Sequence, residues 1–270
     1  MSWSGFGLNV AVSAGVVLLA LVVVWLIGVR MRDMSIIDIL WGPGFVLVAL
    51  VTLAIGDAPF DRRRLLAVLV GFWGVRLGAY LARRNLGHGE DARYRAMRRH
   101  VGDDFHRWAF THVFLFQGLV LTAVSLPVQI GGNITSDRVW APQVVAGVVV
   151  WAVGLGFEAV GDAQLARFKA DPANDAKVMD RGLWGWTRHP NYFGDACAWW
   201  GLWLTTLVHP VALIGAIGPA VMTYFLLNVS GKALLERRMR KTRPGYDAYV
   251  ARTSGFFPLP PKRDAGVRRA

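Results

Sequence analysis

The amino-acid sequence predicts an all-α, polytopic membrane protein with seven transmembrane helices. Three observations carry that prediction. The 270 residues are 54% hydrophobic and only 18% charged, with a mean hydropathy of +0.38, a balance outside the usual range of soluble domains. The apolar residues gather in seven runs, most of them about 20 residues long, the length that crosses a hydrocarbon core roughly 30 Å thick. Of the 30 basic residues all but Arg76 lie outside those runs, and they do not form one stripe. That spread fits loops facing anionic headgroups and argues against a nucleic-acid partner.

The runs are Leu8–Val29, Ile36–Ile55, Leu65–Ala82, Phe110–Val128, Pro142–Val160, Tyr192–Val208 and Val211–Val229. The first lacks a basic leader and a small-residue cleavage site, so it is expected to be a retained span and not a signal peptide. Gly131-Gly132-Asn133 and Ala141-Pro142 bound a short loop, and His209-Pro210 is a tight turn between the last two runs. No repeat, low-complexity block or linker divides the chain, which predicts one domain over 1–270. The segments 30–35, 83–107, 161–190 and the tail after 230 hold 25 basic residues, the remaining loops hold 4, and Arg76 lies inside a run. The positive-inside rule makes the basic side cytoplasmic, with the N-terminus outside and the C-terminus inside. A single cysteine, Cys197, excludes an intrachain disulfide. His88, His100, His106 and His112 are scattered, and no set stands at metal-ligand spacing, so no metal is expected.

Polar groups at the edge of an apolar segment are costly unless they bind something. They concentrate in Arg181–Trp203, RGLWGWTRHPNYFGDACAWWGLW. Pro190 sets a helix boundary there, Asn191 is expected to cap the sixth span, and a helix N-terminus with Arg188 and His189 beside it attracts anions. A capped helix with a snorkelling arginine would account for Asn191 and Arg188, but not for Asp195 one turn inside the span. Glu158 and Asp162, four residues apart, share a helix face. They either hold a ligand's hydroxyls or pair with Arg167 and Lys169 at a solvated helix end. Asn174, Lys177 and Arg181 follow in a loop rich in Pro and Asp. In the N-terminal half, Asp38 and Arg76 are ionisable groups in apolar runs, with Trp41 and Trp73 near them. They form either a catalytic pair, in which a protonated Asp38 donates to a carbonyl, or a buried ion pair with no catalytic part; Arg32 is the other partner available to Asp38.

These residues resemble the steroid 5-alpha-reductase family, most closely its bacterial branch. FEAVGDAQLARFKADPAN (157–174) resembles that family's cofactor-binding helix and loop, with Asp162 on its aspartate. RGLWGWTRHPNYFGD resembles its Gly-Leu-aromatic…Asn-x-x-Gly-acid motif through Asn191, Gly194 and Asp195, and PGYDAYVARTSGFFP its closing pattern through Tyr249, Arg252 and Pro258. The resemblance implies a seven-helix fold with a cytoplasmic cap and an NADPH cavity built by residues 142–270, with residues 1–130 supplying the substrate-side helices. It implies cofactor contacts from Glu158, Asp162, Lys169, Asn174, Lys177, Arg188, His189, Asn191, Tyr192, Asp195, Glu236, Tyr249 and Arg252. Asp38 falls where steroid-reducing members carry a catalytic Glu, and Arg76 matches a family Arg. Trp73 stands where those members have a carbonyl-binding Tyr, and Glu158 where the mammalian enzymes have an Asn.

The expected function is NADPH-dependent reduction of a conjugated carbon–carbon double bond in a lipophilic substrate, in a bacterial inner membrane with the site open to the cytoplasm. Membrane lipid is the other expected partner. An Arg-His-Pro-x-Tyr sequence before a penultimate span also resembles membrane methyltransferases of the isoprenylcysteine carboxyl methyltransferase type, which use S-adenosylmethionine. A non-catalytic scaffold anchored by its charges is the third reading. The 25-to-4 split generates a direct test. Reporter fusions at Ala270 and within residues 131–138 are expected to report opposite sides of the membrane, and same-side signals would overturn the seven-span topology.

Overall fold

A computed structural model of the chain describes residues 1–136, 138, 140–229 and 232–262, with the side chains of all of these except Ala233 and Leu234. Three of the tail's basic residues, Arg263, Arg268 and Arg269, lie outside the described residues, as does the reporter position Ala270. Apart from turns and short links the described residues are helical, and the β contact among them is a parallel bridge between Thr187 and Ser254.

Helix α1 is Trp3–Met31, with the Ser2 side chain accepting from Gly5 N at its start. A tight 3₁₀ stretch, Met34–Leu40, leads into α2, Trp41–Ile55. Helix α3 is Phe60–Asn85 and α4 is Ala92–Val101. After a short 3₁₀ turn the chain runs on as α5 (Phe105–Ala109), a π-helical turn (Phe110–Phe114) and α6 (Leu115–Val124). Then follow α7 (Leu126–Gly131), the long α8 (Pro142–Ala170), the single turn α9 (Leu183–Trp186) and α10 (Pro190–Thr205). Helix α11 (Ile217–Tyr224) lies between a 3₁₀ and a π-helical turn, and α12 (Lys232–Thr242) and α13 (Tyr246–Arg252) close the chain.

Among the described residues six helical segments are long and apolar enough to cross a bilayer: Trp3–Met31, Met34–Ile55, Phe60–Asn85, Ala92–Val124, Pro142–Ala170 and Pro210–Val229. The chain is an integral membrane protein. The expected span Tyr192–Val208 is the 16-residue α10, roughly 24 Å long at 1.5 Å per residue and short of a core about 30 Å thick. Much of the basic segment 83–107, a loop by its composition, is helical. Asp91 caps α4 by accepting from Arg93 N at 2.8 Å, and no Gly or Pro interrupts the stretch from Ala92 to Val101.

The described chain divides into two compact units. Unit 1 is Met1–Val145 with Leu202–Gly218, and unit 2 is Ala146–Gly201 with Pro219–Ala270. Both depend on helices whose backbones touch. In unit 1 a Cβ added to Gly42 of α2 would collide with Gly74 O and lie 2.7 Å from Gly78 N of α3. In unit 2 three of the four glycines of α8 recur every seven residues, at 147, 154 and 161, and those of α10 stand at 194 and 201; the fourth, Gly156, faces open space. A Cβ on Gly154 would come within 2.5 Å of both Ala198 N and Gly194 O, and one on Gly194 within 2.5 Å of Glu158 N and Gly154 O. A Cβ on Gly201 would come within 2.5 Å of Trp151 N and 2.7 Å of Gly147 O. Small residues are how membrane helices approach closely enough for dispersion contacts to hold them, since lipid supplies no hydrophobic drive between helices.

Gly154→Val is therefore expected to destabilise unit 2 by about 3 kcal/mol, the upper part of the usual overpacking range. Thermal unfolding in detergent measures it. Gly7→Val is the control, because nothing lies within 4 Å of a Cβ at that position. Equal stability of the two variants would refute the close seam.

Candidate functional site

In unit 1 the chain is bent so that Asp38 meets a phenol. Arg32 takes a left-handed conformation (φ 56) after α1, and Asp33 accepts from Ser35 N and Ser35 Oγ at 2.9 and 2.5 Å, which starts the 3₁₀ stretch. Glu90, 9% exposed, pins this corner. It accepts from Met34 N at 3.0 Å and from both Arg98 Nε and Nη2 at 2.9 and 2.7 Å. Burial pushes the Glu90 carboxyl up, but the Arg98 and Met34 hydrogen bonds outweigh it and hold the group below its ordinary value. Asp38 then receives Tyr94 Oη at Oδ1 and Arg93 Nη2 at Oδ2, each at 2.9 Å. Gln117 Nε2 donates to the same phenol at 3.3 Å.

The cation on Asp38 is thus Arg93, where the sequence offered Arg32 or Arg76. Both Asp38 oxygens accept hydrogen bonds, Oδ1 from the Tyr94 phenol and Oδ2 from Arg93. Arg76 sits half-buried on α3. Trp73 is fully buried and meets Phe45 edge-on, ring centroids 5.6 Å apart. Tyr94 and Arg93 escape the sequence because the segment from 83 to 107 reads as a basic loop, and Gln117 because it is a lone amide in the apolar run Phe110–Val128. The available signal is a tyrosine flanked by arginines in a stretch free of breakers.

In unit 2 the glycine seam sets the polar groups. Helix α10 begins at Pro190, whose lack of an N–H suits a first helical position. Asn191 is therefore its second residue and not the cap expected from sequence. Its Nδ2 donates to Asp162 Oδ1 at 3.1 Å while its Oδ1 accepts from Tyr192 N at 3.1 Å. Glu158 and Asp162 are buried at 3% and 4% exposure. Trp184 Nε1 donates to Gly161 O at 3.0 Å, and Gln164 Oε1 accepts from Leu183 N at 3.0 Å, which fixes the 181–190 segment along α8. Lys169 and Lys177 are exposed, and Asn174 Nδ2 donates to the Phe168 carbonyl at 3.1 Å, closing the end of α8.

Next to the seam is a knot around Glu236. Arg188 Nε and His189 Nε2 both reach Glu236 Oε1, at 3.0 and 3.1 Å, and Tyr192 stacks on His189 with centroids 5.3 Å apart. Arg188 Nη1 also donates to the Thr253 carbonyl at 2.6 Å. Tyr249 Oη donates to the Trp184 carbonyl at 2.5 Å, and Arg252 pairs with Asp180. Burial alone would raise the Glu236 carboxyl, but hydrogen bonds from His189 and Arg188 outweigh it and hold the group at about 2. At His189 burial dominates and keeps the imidazole below its ordinary 6.5, despite the bond to Glu236. A neutral imidazole beside an ionised carboxylate describes the pair at neutral pH. Burial, with Glu236 nearby, pushes the Tyr246 phenol up to about 12.

Beside the knot lies a pocket of about 420 Å³ lined by Leu227, Asn228, Lys232, Glu236, Arg237 and Arg240. Lys232 Nζ and Arg188 Nη2 both crowd Gly255, where an added Cβ would lie 2.7 and 3.1 Å from them. Arg240 has a loose, exposed pair with Asp247 at 3.5 Å. With Glu236 already engaged by Arg188 and His189, the pocket carries an excess of positive charge. Lys232, Arg237, Arg240 and Tyr246 do not stand out in the sequence, where the tail reads as an undivided basic run. Among the described residues no three His, Cys, Asp or Glu side chains stand where they could hold a metal ion.

The chain belongs to a protein family of unknown function, DUF1295, whose model matches residues 24–253. It is also similar to a protein of Ustilaginoidea virens named probable O-methyltransferase ustE. The two are 28% identical over 118 residues, which is 43% of this chain and 36% of that protein. The match thus spans about a third of that relative's length. No solved structure matches the chain.

The knot generates a pH prediction. Glu236 has a folded value of about 2 against an ordinary 4.5, so the stability it contributes is fully present above 4.5 and is lost as the pH falls toward 2. His189, depressed below 6.5, acts in the same direction, because the unfolded chain takes up a proton first and the fold loses stability as the pH drops under 6.5. Melting temperatures measured from pH 7 to pH 2 are expected to fall for the wild type on both counts. In Glu236→Gln the loss below pH 4.5 should be smaller by this carboxylate's share. Parallel curves for the two proteins below pH 4.5 would show that the knot does not carry that stability.

Proposed function

We propose that this member of the DUF1295 family is an NADPH-dependent membrane reductase acting on a carbon–carbon double bond conjugated to a carbonyl in a lipophilic substrate. The observation that supports this reading best is the cationic pocket of unit 2. Lys232, Arg237 and Arg240 line it while Glu236 is held ionised by Arg188 and His189. Ammonium and guanidinium groups in excess over carboxylates suit phosphates, and NADPH carries three of them. The donor set therefore fits this cofactor. Lys232, Arg237 and Arg240 would hold its phosphates, and Glu158, Asp162 and Asn191 its ribose or amide groups. When bound, the cofactor supplies a hydride.

Unit 1 supplies the polar chemistry for the substrate. Tyr94 holds its hydroxyl on Asp38, with Arg93 fixing the other carboxylate oxygen and Gln117 on the phenol. The phenol has one O–H, so Tyr94 would donate to a carbonyl oxygen by turning that hydroxyl away from Asp38, and would then stabilise the negative charge that develops there on reduction. It gives the chain the phenol that Trp73 does not provide. Asp38 is then the positioning group behind Tyr94, and Arg93 keeps Asp38 from being a stranded buried carboxylate. On this reading the protein lies in a bacterial inner membrane with its site on the cytoplasmic face, on the strength of the 25-to-4 split of basic residues.

The second reading, an S-adenosylmethionine-dependent membrane methyltransferase, is favoured by the name of the Ustilaginoidea virens relative. S-adenosylmethionine has no phosphate and carries a sulfonium cation, which gains nothing from a positive pocket. Titration of the purified protein with each cofactor separates the two. NADPH is expected to bind, and Arg237→Ala to weaken it roughly 10-fold or more, the scale of one lost charge-assisted hydrogen bond. Binding of S-adenosylmethionine alone would replace this reading with the second, and binding of neither would leave a scaffold. A strain lacking the protein is expected to accumulate an unsaturated lipid that wild type, but not Tyr94→Phe, removes. Full removal by Tyr94→Phe would take the phenol out of the chemistry.

A further inference from the structure

The chain leaves α13 through Thr253 and continues without helix to Lys262, a strap that bends back to α13. Its first part is fastened to the segment before α10. Thr187 bridges to Ser254, Arg188 N donates to the Ser254 carbonyl at 2.9 Å, and Thr187 Oγ1 donates to the Phe256 carbonyl at 2.8 Å. The second part, Pro258-Leu259-Pro260-Pro261-Lys262, has only two backbone N–H groups, because proline has none. Both point inward. Leu259 N donates to the Trp186 carbonyl at 3.1 Å and Lys262 N to the Arg252 carbonyl at 2.9 Å. Three prolines and these two bonds leave no free backbone N–H in the second part of the strap, which suits a segment set against apolar surface.

The side chains point the same way. Phe257, Leu259 and Trp186 are 66%, 56% and 51% exposed, which is unusual for large apolar groups fastened side by side unless something apolar covers them. Their surface is continuous with helices that enter the bilayer. Phe257 and Phe256 meet Phe193 of α10 edge-on at 6.2 and 5.9 Å, and Phe193 meets Phe157 of α8 at 5.1 Å. Phe157 lies roughly 22 Å along α8 from Pro142, and Gly161, which receives the Trp184 indole, about 6 Å further. A hydrocarbon core roughly 30 Å thick ends at that level. The charge also fits. Residues 253–262 contain a lysine and no carboxylate, and Arg263, Arg268 and Arg269 follow against Asp264 alone.

We infer that the strap Phe257–Lys262, with Trp186, is an interfacial element that lies in the headgroup region of an anionic membrane surface. Trp186, Phe257 and Leu259 sink to the acyl boundary while Lys262 stays among the headgroups. Because the strap follows directly on the Ser254 and Phe256 carbonyls that hold Arg188 N and Thr187, bilayer contact is one of the forces that keep the Arg188 segment in place. The inference does not depend on which cofactor the chain takes.

The test uses the full chain in nanodiscs of phosphatidylcholine, with and without phosphatidylglycerol. Cys197→Ala removes the native thiol, and a bimane probe is attached in turn at Phe257→Cys, Leu259→Cys and, as a water-facing control, Asp247→Cys, whose side chain is 81% exposed. Probes at 257 and 259 are expected to be quenched by lipids labelled near the headgroup. They should be protected from iodide about 3-fold or more relative to 247, as for a residue sunk into the interface, and more so with phosphatidylglycerol present. Iodide quenching equal to that at 247 at both positions would overturn the inference. So would protection from both quenchers, which would mean that protein and not lipid covers the strap.

Discussion

Backbone contact between α8 and α10 is the constraint on which unit 2 depends. A Cβ on Gly154, Gly194 or Gly201 would come within 2.5 Å of the opposing backbone, and Gly161 continues the seam against Pro190 at 3.2 Å. A helix pair this close has no freedom to slide by a residue, because a slip would drive a side chain into the opposing backbone. The seam therefore fixes register as well as distance. Asp162 meets Asn191 because Gly161 packs on Pro190 and Gly194 packs on Glu158 N. The polar residues occupy the end of a zipper whose teeth are absent side chains.

Unit 1 reaches a similar end by a different route. Gly42 and Gly74 bring α2 and α3 together, but Asp38 is positioned by the corner before α2, where Glu90 holds Met34 N and Arg98 at once. A buried carboxylate with its acceptor sites filled is a rigid joint, whereas a half-filled one would be a liability. Tyr94 follows closely after that joint's own cap, Asp91 to Arg93, so Glu90 sets both halves of the Asp38–Tyr94 contact.

Much of this is legible in the sequence, unevenly. The apolar runs mark the membrane helices because composition and length decide that question locally. The RHPNYFGD stretch marks Arg188, His189 and Asn191 because a proline there opens a helix whose edge is crowded with polar groups, a local contrast with the apolar residues that follow. The partners are harder to find. Glu236, Lys232 and Arg240 lie in a strongly basic tail, and nothing local marks which of its residues face a pocket. Tyr94 lies in a segment whose charge masks its helicity. For Asp38 the sequence points along the neighbouring apolar run to Arg76, while the cation the fold supplies arrives from the first turn of α4. Spacing along a chain identifies residues that share a face; it does not identify residues brought together by a corner.

The short α10 has a consequence for what surrounds it. Its 16 residues reach about 24 Å, less than a hydrocarbon core about 30 Å thick, and all of them are buried or half-buried. A short helix screened by protein does not oblige lipid to thin to match it. Where such a helix stops, protein and not hydrocarbon walls the remaining distance, and polar side chains and irregular backbone are tolerated there. Arg188, His189 and Tyr192 stand at an end of that kind.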